Sequence, residues 1–329
     1  MATPWWAVSL WVFMATPKKM FKGYALVALL FGCYSAAGKF SPTAGFVALL
    51  VIAGLWPALL KSSLQFRLAN TSWRGLRLRF SGSLAGAYRA ALPLFVPAAL
   101  LVGVGVVQSP GQPPSFWLAM AMIVLGLGSL LVWPWLLWKL KKYQHSNYAL
   151  GAQQTHFSAS TWSFYKLSFK VMGVYFGLAV PVMVMGAILM SVQGQATDAA
   201  AASNLGAKAL AALGFLPLFM VLFFCVYAYA QARAQDLIWN HTASSQVQFH
   251  SRLSFGSLLW LTLKNWFFMV FTLGLYWPFA AVATRRLRLQ AVSVSTTLLP
   301  EQLRTAGLEN AGDAAGDAAG DFLGFDIGL

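Results

Sequence analysis

The sequence predicts a mainly α-helical, polytopic transmembrane protein of about 6–8 membrane segments, with small β-hairpin-like repeat units on the cytoplasmic side. Three observations carry that prediction. Hydrophobic residues fill 59% of the 329 positions and charged residues 9%, against roughly 25% charged in a soluble domain, and a soluble chain of this size cannot hide so much apolar surface. The apolar residues gather into long segments separated by basic stretches. A motif of mixed residue types recurs at fixed spacing over more than 30 positions, which marks an internal repeat.

Residues 1–22 read as an interfacial segment. Pro4 to Pro17 is apolar and rich in Trp, too short to span, and lacks the basic start and small-residue cleavage pattern of a signal peptide. A transmembrane domain then covers 23–300, with apolar segments at 23–38, 44–60, 91–107, 116–138, 171–192 and 208–230 and a longer one at 255–284. A crossing helix needs about 17–25 residues, so the first is slightly short and the next five fit. The connections 108–115 and 193–207 carry almost no charge, as short outside turns should. The segments near 61–90, 139–170 and 231–254 carry six, five and two basic residues, and Lys18, Lys19 and Lys22 precede the first span. The positive-inside rule therefore places these segments in the cytoplasm.

The segment 255–284 is longer than one crossing and too short for two. A single helix would carry Arg285, Arg286 and Arg288 outside, against the charge rule. A break at Thr272-Leu273-Gly274 would leave two arms of about ten residues and return Lys264 and Arg285 to one face. The expectation is this re-entrant or interfacial hairpin, with one long tilted helix as the alternative. Residues 301–329 hold six acids and Arg304, a formal charge of −5, while the body sets 22 Lys and Arg against Asp198 and Asp236, a charge of +20. Ala-Gly-Asp recurs at 311–313, 315–317 and 319–321; the tail reads as a disordered acidic linker ending in an apolar hook that would dock on the basic segments.

The repeat consists of Trp56-Pro57, Asn70, Phe80-Ser81-Gly82-Ser83 and Tyr88-Arg89, then Trp133-Pro134, Asn147, Phe157-Ser158-Ala159-Ser160 and Tyr165-Lys166, with parts recurring at Asn240, Phe249 and Trp277-Pro278. Trp-Pro is expected to end a span at the interface, because Pro disfavours helix at the residue before it. Leu76 to Phe80 alternates apolar and basic residues, as a strand does, and Gln246 to His250 repeats the alternation; Gln153 to Phe157 does so more weakly. Each unit thus reads as a two-stranded hairpin. Such hairpins are marginal alone and should pack on one another or on lipid.

The stretch Phe66 to Phe80, with Thr272-Leu273-Gly274-Leu275-Tyr276-Trp277-Pro278-Phe279 and the terminal Phe325-Asp326-Ile327-Gly328-Leu329, resembles the YjgN family of multi-pass bacterial inner-membrane proteins of unknown function. The likeness runs from about Pro17 to the C-terminus. It implies a location in the bacterial inner membrane and an architecture, and no catalytic residues. Members of that family usually begin with a further copy of the unit, and this chain starts inside or after it.

Little in the sequence points to catalysis. Acid–base work needs ionisable groups close together in a pocket, and the body offers two acids far apart. No nucleophile elbow and no phosphate loop is present. His145, His156, His241 and His250 read as surface histidines, and Cys33 and Cys225 sit inside spans, away from metal or disulfide spacing. No enzyme activity and no cofactor is expected. Lys264, flanked by Leu261-Thr262-Leu263 and Asn265-Trp266-Phe267, is costly at membrane depth unless paired or reaching water; it marks a speculative site for an anion or lipid headgroup. Arg74, Arg77, Arg79, Lys139, Lys141 and Lys142 would attract anionic lipid on the cytoplasmic face, although topology alone also requires bases there. The functional expectation is transport or translocation of a small or lipid-like molecule. The alternative is a non-transporting scaffold that binds anionic lipid or recruits partners through its basic units and tail.

Overall fold

A computed structural model describes residues 11–13, 32–69, 71–73, 76–107, 114–150, 153–194 and 201–296. The acidic tail, Arg74 and most of residues 1–22 lie outside these. The order of elements is β1 (Trp11–Phe13), a helix α1 over 32–40, α2 (Pro42–Ala69), β2 (Thr71–Trp73), β3 (Leu76–Phe80), α3 (Leu84–Ala91), a 3-10 turn (Leu92–Phe95) and α4 (Val96–Val107). There follow α5 (Phe116–His145), β4 (Tyr148–Leu150), β5 (Gln153–Gln154), β6 (His156–Phe157), α6 (Thr161–Gly194) and α7 (Ala201–Asn240). The chain continues through β7 (Thr242–Ala243), β8 (Val247–Ser251), α8 (Phe255–Phe271), α9 (Trp277–Gln290) and β9 (Val292–Thr296).

Among the described residues, five helical runs are long and apolar enough to cross a membrane: Pro42–Phe66, Leu84–Gly105, Phe116–His145, Thr161–Ile188 and Leu218–Asn240. They match five of the predicted segments. Of the segment 23–38, only 32–38 is described, and it is helical. The helices are longer than their apolar parts. In α2 and α5 they run on through Pro57 and Pro134 to Ala69 and His145, so Trp-Pro does not end a span as expected. Helices at membrane depth tolerate proline when neighbours re-satisfy the freed carbonyl, and both prolines are buried. Only at Trp277-Pro278 does the pair start a helix, where proline lacks nothing the first turn needs.

The chain forms two compact units. Of the described residues, the first holds those up to Thr161, His241–Gln248 and 295–296. In it α2 packs on α3 and α4, and α5 on α3 and α4. Small residues permit the close approach: Ala87 and Ala91 are fully buried, and Ala87 and Ala90 join Phe80 and Tyr143 in one cluster. The Tyr88 hydroxyl donates to the Gly54 carbonyl of α2 at 2.9 Å, and Trp56 meets Phe95 edge-on at 6.1 Å. The second unit, Trp162–Asn240 with Phe249–Val294, packs α7 on α8 and α8 on α9. Ala228 and Ala232, one turn apart on α7, sit fully buried against Leu253 and Leu258, as small residues do at helix contacts within bilayers.

Two helices, not one, make up the segment 255–284. α8 has 17 residues and α9 has 14, both longer than the expected arms of ten, α8 because the whole apolar run from Phe255 to the break is helical and α9 because it continues through Arg285, Arg286 and Arg288. Between them Thr272 caps α8: its hydroxyl donates to the Phe268 carbonyl at 2.7 Å and accepts from the Tyr276 N–H at 3.1 Å. The chain reverses through Leu273 and Gly274, at φ 50° and 91°, with the Gly274 N–H reaching the Met269 carbonyl at 2.7 Å. The single tilted helix is thereby excluded.

Candidate functional site

The predicted strands form at the predicted places and pair as antiparallel hairpins, β2 with β3, β4 with β5, and β7 with β8. Pairing also links one motif copy to the next. β3 pairs with β4 through Phe80 opposite Tyr148 and Arg79 opposite Ala149, and β6 pairs with β7 through Phe157 opposite Thr242. β1 pairs with β2, Trp11 opposite Trp73. A backbone hydrogen bond recurs near the same place in each unit, its donor directly following Phe80 and Phe157 but lying three positions after Phe249. The Ser81 N–H donates to the Asn147 carbonyl at 2.9 Å, the Ser158 N–H to His241 at 2.9 Å and the Arg252 N–H to Ala291 at 3.0 Å. Ala291 lies 13 positions beyond Pro278, where Asn70 and Asn147 stand after Pro57 and Pro134. Three positions beyond β3 and β8 a serine starts the next helix: Ser83 and Ser254 cap α3 and α8 by accepting the N–H groups of Gly86 and Ser257, as N-cap serines do.

The described basic candidates of the first unit fall on β3 and on the end of α5. Arg74 lies outside the described residues. Arg77 stands on β3 opposite Ser72, and Arg79, two positions on, is half-buried opposite Ala149. On the last turns of α5 the Lys139 ammonium lies 4.8 Å from the Trp135 ring and that of Lys142 4.9 Å from Trp138, while Lys141 donates to Gln144 Oε1 at 2.8 Å. Their position beyond the apolar stretch at a helix C-terminus also suits the helix dipole.

One histidine departs from expectation. His156 and His250 are exposed, but His145 is buried. Its ring lies tilted against Tyr148 at 4.9 Å and Phe157 at 5.9 Å, with Nδ1 at 3.1 Å from Thr242 Oγ1. The Thr155 hydroxyl donates to its carbonyl at 2.6 Å. Burial holds this imidazole, which lies beyond the apolar part of α5, well below its ordinary 6.5, and Lys141 adds a smaller push the same way. His145 thus fills the seam between copies as a neutral polar plug. Among the described residues no cluster of His, Cys, Asp or Glu is placed to hold a metal ion.

In the second unit Asp236 is held inside α7, about one turn before the helix ends. One carboxylate oxygen accepts the Ser251 hydroxyl at 2.9 Å and the Leu253 N–H at 2.8 Å; the other faces Arg233 at 3.7 Å. Gln235 accepts from Arg288 Nε at 2.8 Å and donates to the Arg288 carbonyl at 2.9 Å. Asn240 exchanges two bonds with the Ser251 backbone. These contacts fasten the start of α8 and the end of α9 to α7, so the two ends of the helical hairpin lie at one level. Lys264 is exposed on α8, and its neighbour Asn265 points inward. The Asn265 amide donates to the Ala280 carbonyl at 3.3 Å and Thr284 Oγ1 at 3.2 Å, tying α8 to α9. Asn265 and Gln235 were not singled out from sequence, and Arg288 entered there only through the charge rule. The available signal was a second polar residue beside Lys264 in an otherwise apolar run.

Helices fit to cross a bilayer, joined at their ends by short paired strands, define this chain as a helical protein of membrane type. A family model described as "Bacterial protein of unknown function (DUF898)" matches residues 9–322, and the chain belongs to that family. The resemblance to the YjgN family agrees with this membership. No curated protein and no solved structure matched the chain.

Proposed function

We propose that this chain is a multi-pass protein of the bacterial inner membrane that moves a small or lipid-like molecule, with its strand-forming segments in the cytoplasm. The observation that carries the reading is the α8–α9 hairpin. Transporters place broken helices and irregular backbone at membrane depth, beside a site built from internal repeats. Here two apolar helices meet at a left-handed turn, α8 is about 25 Å long against a core of about 30 Å, and polar Asn265 joins them. The Ser81 and Ser158 hydrogen bonds, each donated by the residue after the motif phenylalanine, support treating the first two motif copies as one duplicated unit. The charge count orients the chain and supplies an affinity for anionic lipid of about 1 kcal/mol per base near the surface. No catalytic step belongs to this reading, since Asp236 is committed to Ser251 and Leu253.

A scaffold is the second reading, favoured by the strand pairs that bind copy to copy and by the Lys139 and Lys142 ammoniums that rest on ring faces. Reconstitution separates the two. In liposomes carrying a headgroup-labelled fluorescent phospholipid, an impermeant reductant should bleach the inner-leaflet label when the protein is present and spare it in protein-free vesicles. Bleaching limited to the outer leaflet in both would discard lipid translocation and leave the scaffold.

A further inference from the structure

An apolar groove of about 280 Å³ opens between α6 and α7 of the second unit. Tyr175 on α6 faces a stripe on α7 that runs from Phe219 through Leu222 and Val226 to Ala230. These α7 positions recur every three or four residues and so share one face of the helix. The next position on that face is Arg233. Its guanidinium sits where the apolar stretch of α7 ends, half exposed, 3.7 Å from Asp236 and 5.7 Å from the Tyr229 ring centre. That separation from Asp236 is too long for a hydrogen bond, and Asp236 spends its other oxygen on Ser251 and Leu253. Among the described residues the Arg233 donors are therefore left to an outside acceptor.

We propose that this groove and Arg233 form a binding site for one anionic phospholipid of the cytoplasmic leaflet, an acyl chain lying along Phe219–Ala230 and the phosphodiester on the Arg233 guanidinium. Three magnitudes fit. From Phe219 to Ala230 the helix rises about 16 Å, half of a hydrocarbon core of about 30 Å and so the depth of one leaflet. The groove volume falls just under the roughly 300–1,000 Å³ of drug-sized pockets, which suits a single chain. Arginine presents a planar fork of donors matched to phosphate oxygens. The proposal rests on the membrane reading above and is independent of transport.

Native mass spectrometry of the full chain in detergent, with phosphatidylglycerol or phosphatidylcholine of identical chains, tests it. The wild type should retain phosphatidylglycerol several-fold better. Arg233→Gln should lower that retention to the phosphatidylcholine level, Arg233→Lys should restore part of it, and Arg252→Gln should leave it unchanged. Val226→Trp, which fills the groove, should reduce retention of both lipids. A photoreactive chain on phosphatidylglycerol should label the α7 peptide containing Phe219–Ala230. Equal retention of the two lipids, equal loss in Arg233→Gln and Arg252→Gln, or labelling confined to other helices would overturn the site. Selective retention without bleaching of inner-leaflet label would keep the site and discard translocation; the converse would discard the site alone.

Discussion

Asp236 is the body's one described acid, and its removal has a calculable consequence. In Asp236→Ala the Ser251 hydroxyl and the Leu253 N–H lose their acceptor, at residues 1% and 3% exposed. Hydrogen bonds to a charged group contribute about 1.5–3 kcal/mol each, and the side chain of Asp236 keeps 19% of its exposure, which favours the lower figure. Two such bonds give about 3 kcal/mol. A carboxylate near a helix C-terminus opposes the dipole, so its removal returns about 0.5 kcal/mol, and the ion pair to exposed Arg233 adds almost nothing. The net loss should be about 2–3 kcal/mol. Asp236→Asn keeps an acceptor at the same place and should cost about 1 kcal/mol. Equilibrium unfolding by a denaturing detergent in mixed micelles reads both. A loss below about 1 kcal/mol for the alanine variant, or an asparagine variant as weak as the alanine one, would refute this account of the clamp.

Three further outcomes follow from single positions. A Cβ on Gly82 would lie 2.5 Å from the Phe80 ring and 2.7 Å from the Tyr143 oxygen, so Gly82→Ala must displace the Tyr143–Ser83 hydrogen bond of 3.0 Å and should cost about 1–3 kcal/mol by the same titration. Leu273 holds φ 50° with its side chain 94% exposed; Leu273→Gly should therefore gain up to about 1 kcal/mol, whereas Gly274→Ala, with open space around it but φ 91°, should lose about 1–2 kcal/mol. The lowered His145 pKa makes the folded chain bind fewer protons there than the unfolded chain. Stability from this site is then complete above about 6.5 and falls as pH drops below it. Thermal midpoints at pH 7.5 and 5, chosen on either side of roughly that value, should fall more in wild type than in His145→Gln.

How far the sequence carried these conclusions differs from element to element. Spans were legible because composition alone sets the solvent of an apolar run, and the strand over Leu76–Phe80 was legible from alternation. The second copy read weakly for a structural reason: β5 and β6 part at Thr155, whose hydroxyl turns to the His145 and Tyr148 carbonyls. Gly274 announced the break in 255–284, and the long tilted helix failed there. Helix ends after Trp56-Pro57 and Trp133-Pro134 were misjudged, because rules for proline in water overstate its effect where neighbouring helices surround it. Copy-to-copy pairing and the burial of His145 left no local trace, since the partners lie far along the chain, as Thr242 does, 97 positions from His145.

The central claim is that every strand-forming segment sits on one side of the membrane, with the basic residues. After replacement of Cys33 and Cys225, single cysteines at exposed Ser81, Ser158 and Ser245 and at Ser115 can be labelled with an impermeant maleimide in intact cells and in inverted inner-membrane vesicles. The account predicts that the first three react only in inverted vesicles and Ser115→Cys only in intact cells. Reaction of Ser115→Cys and Ser158→Cys from the same side would contradict it.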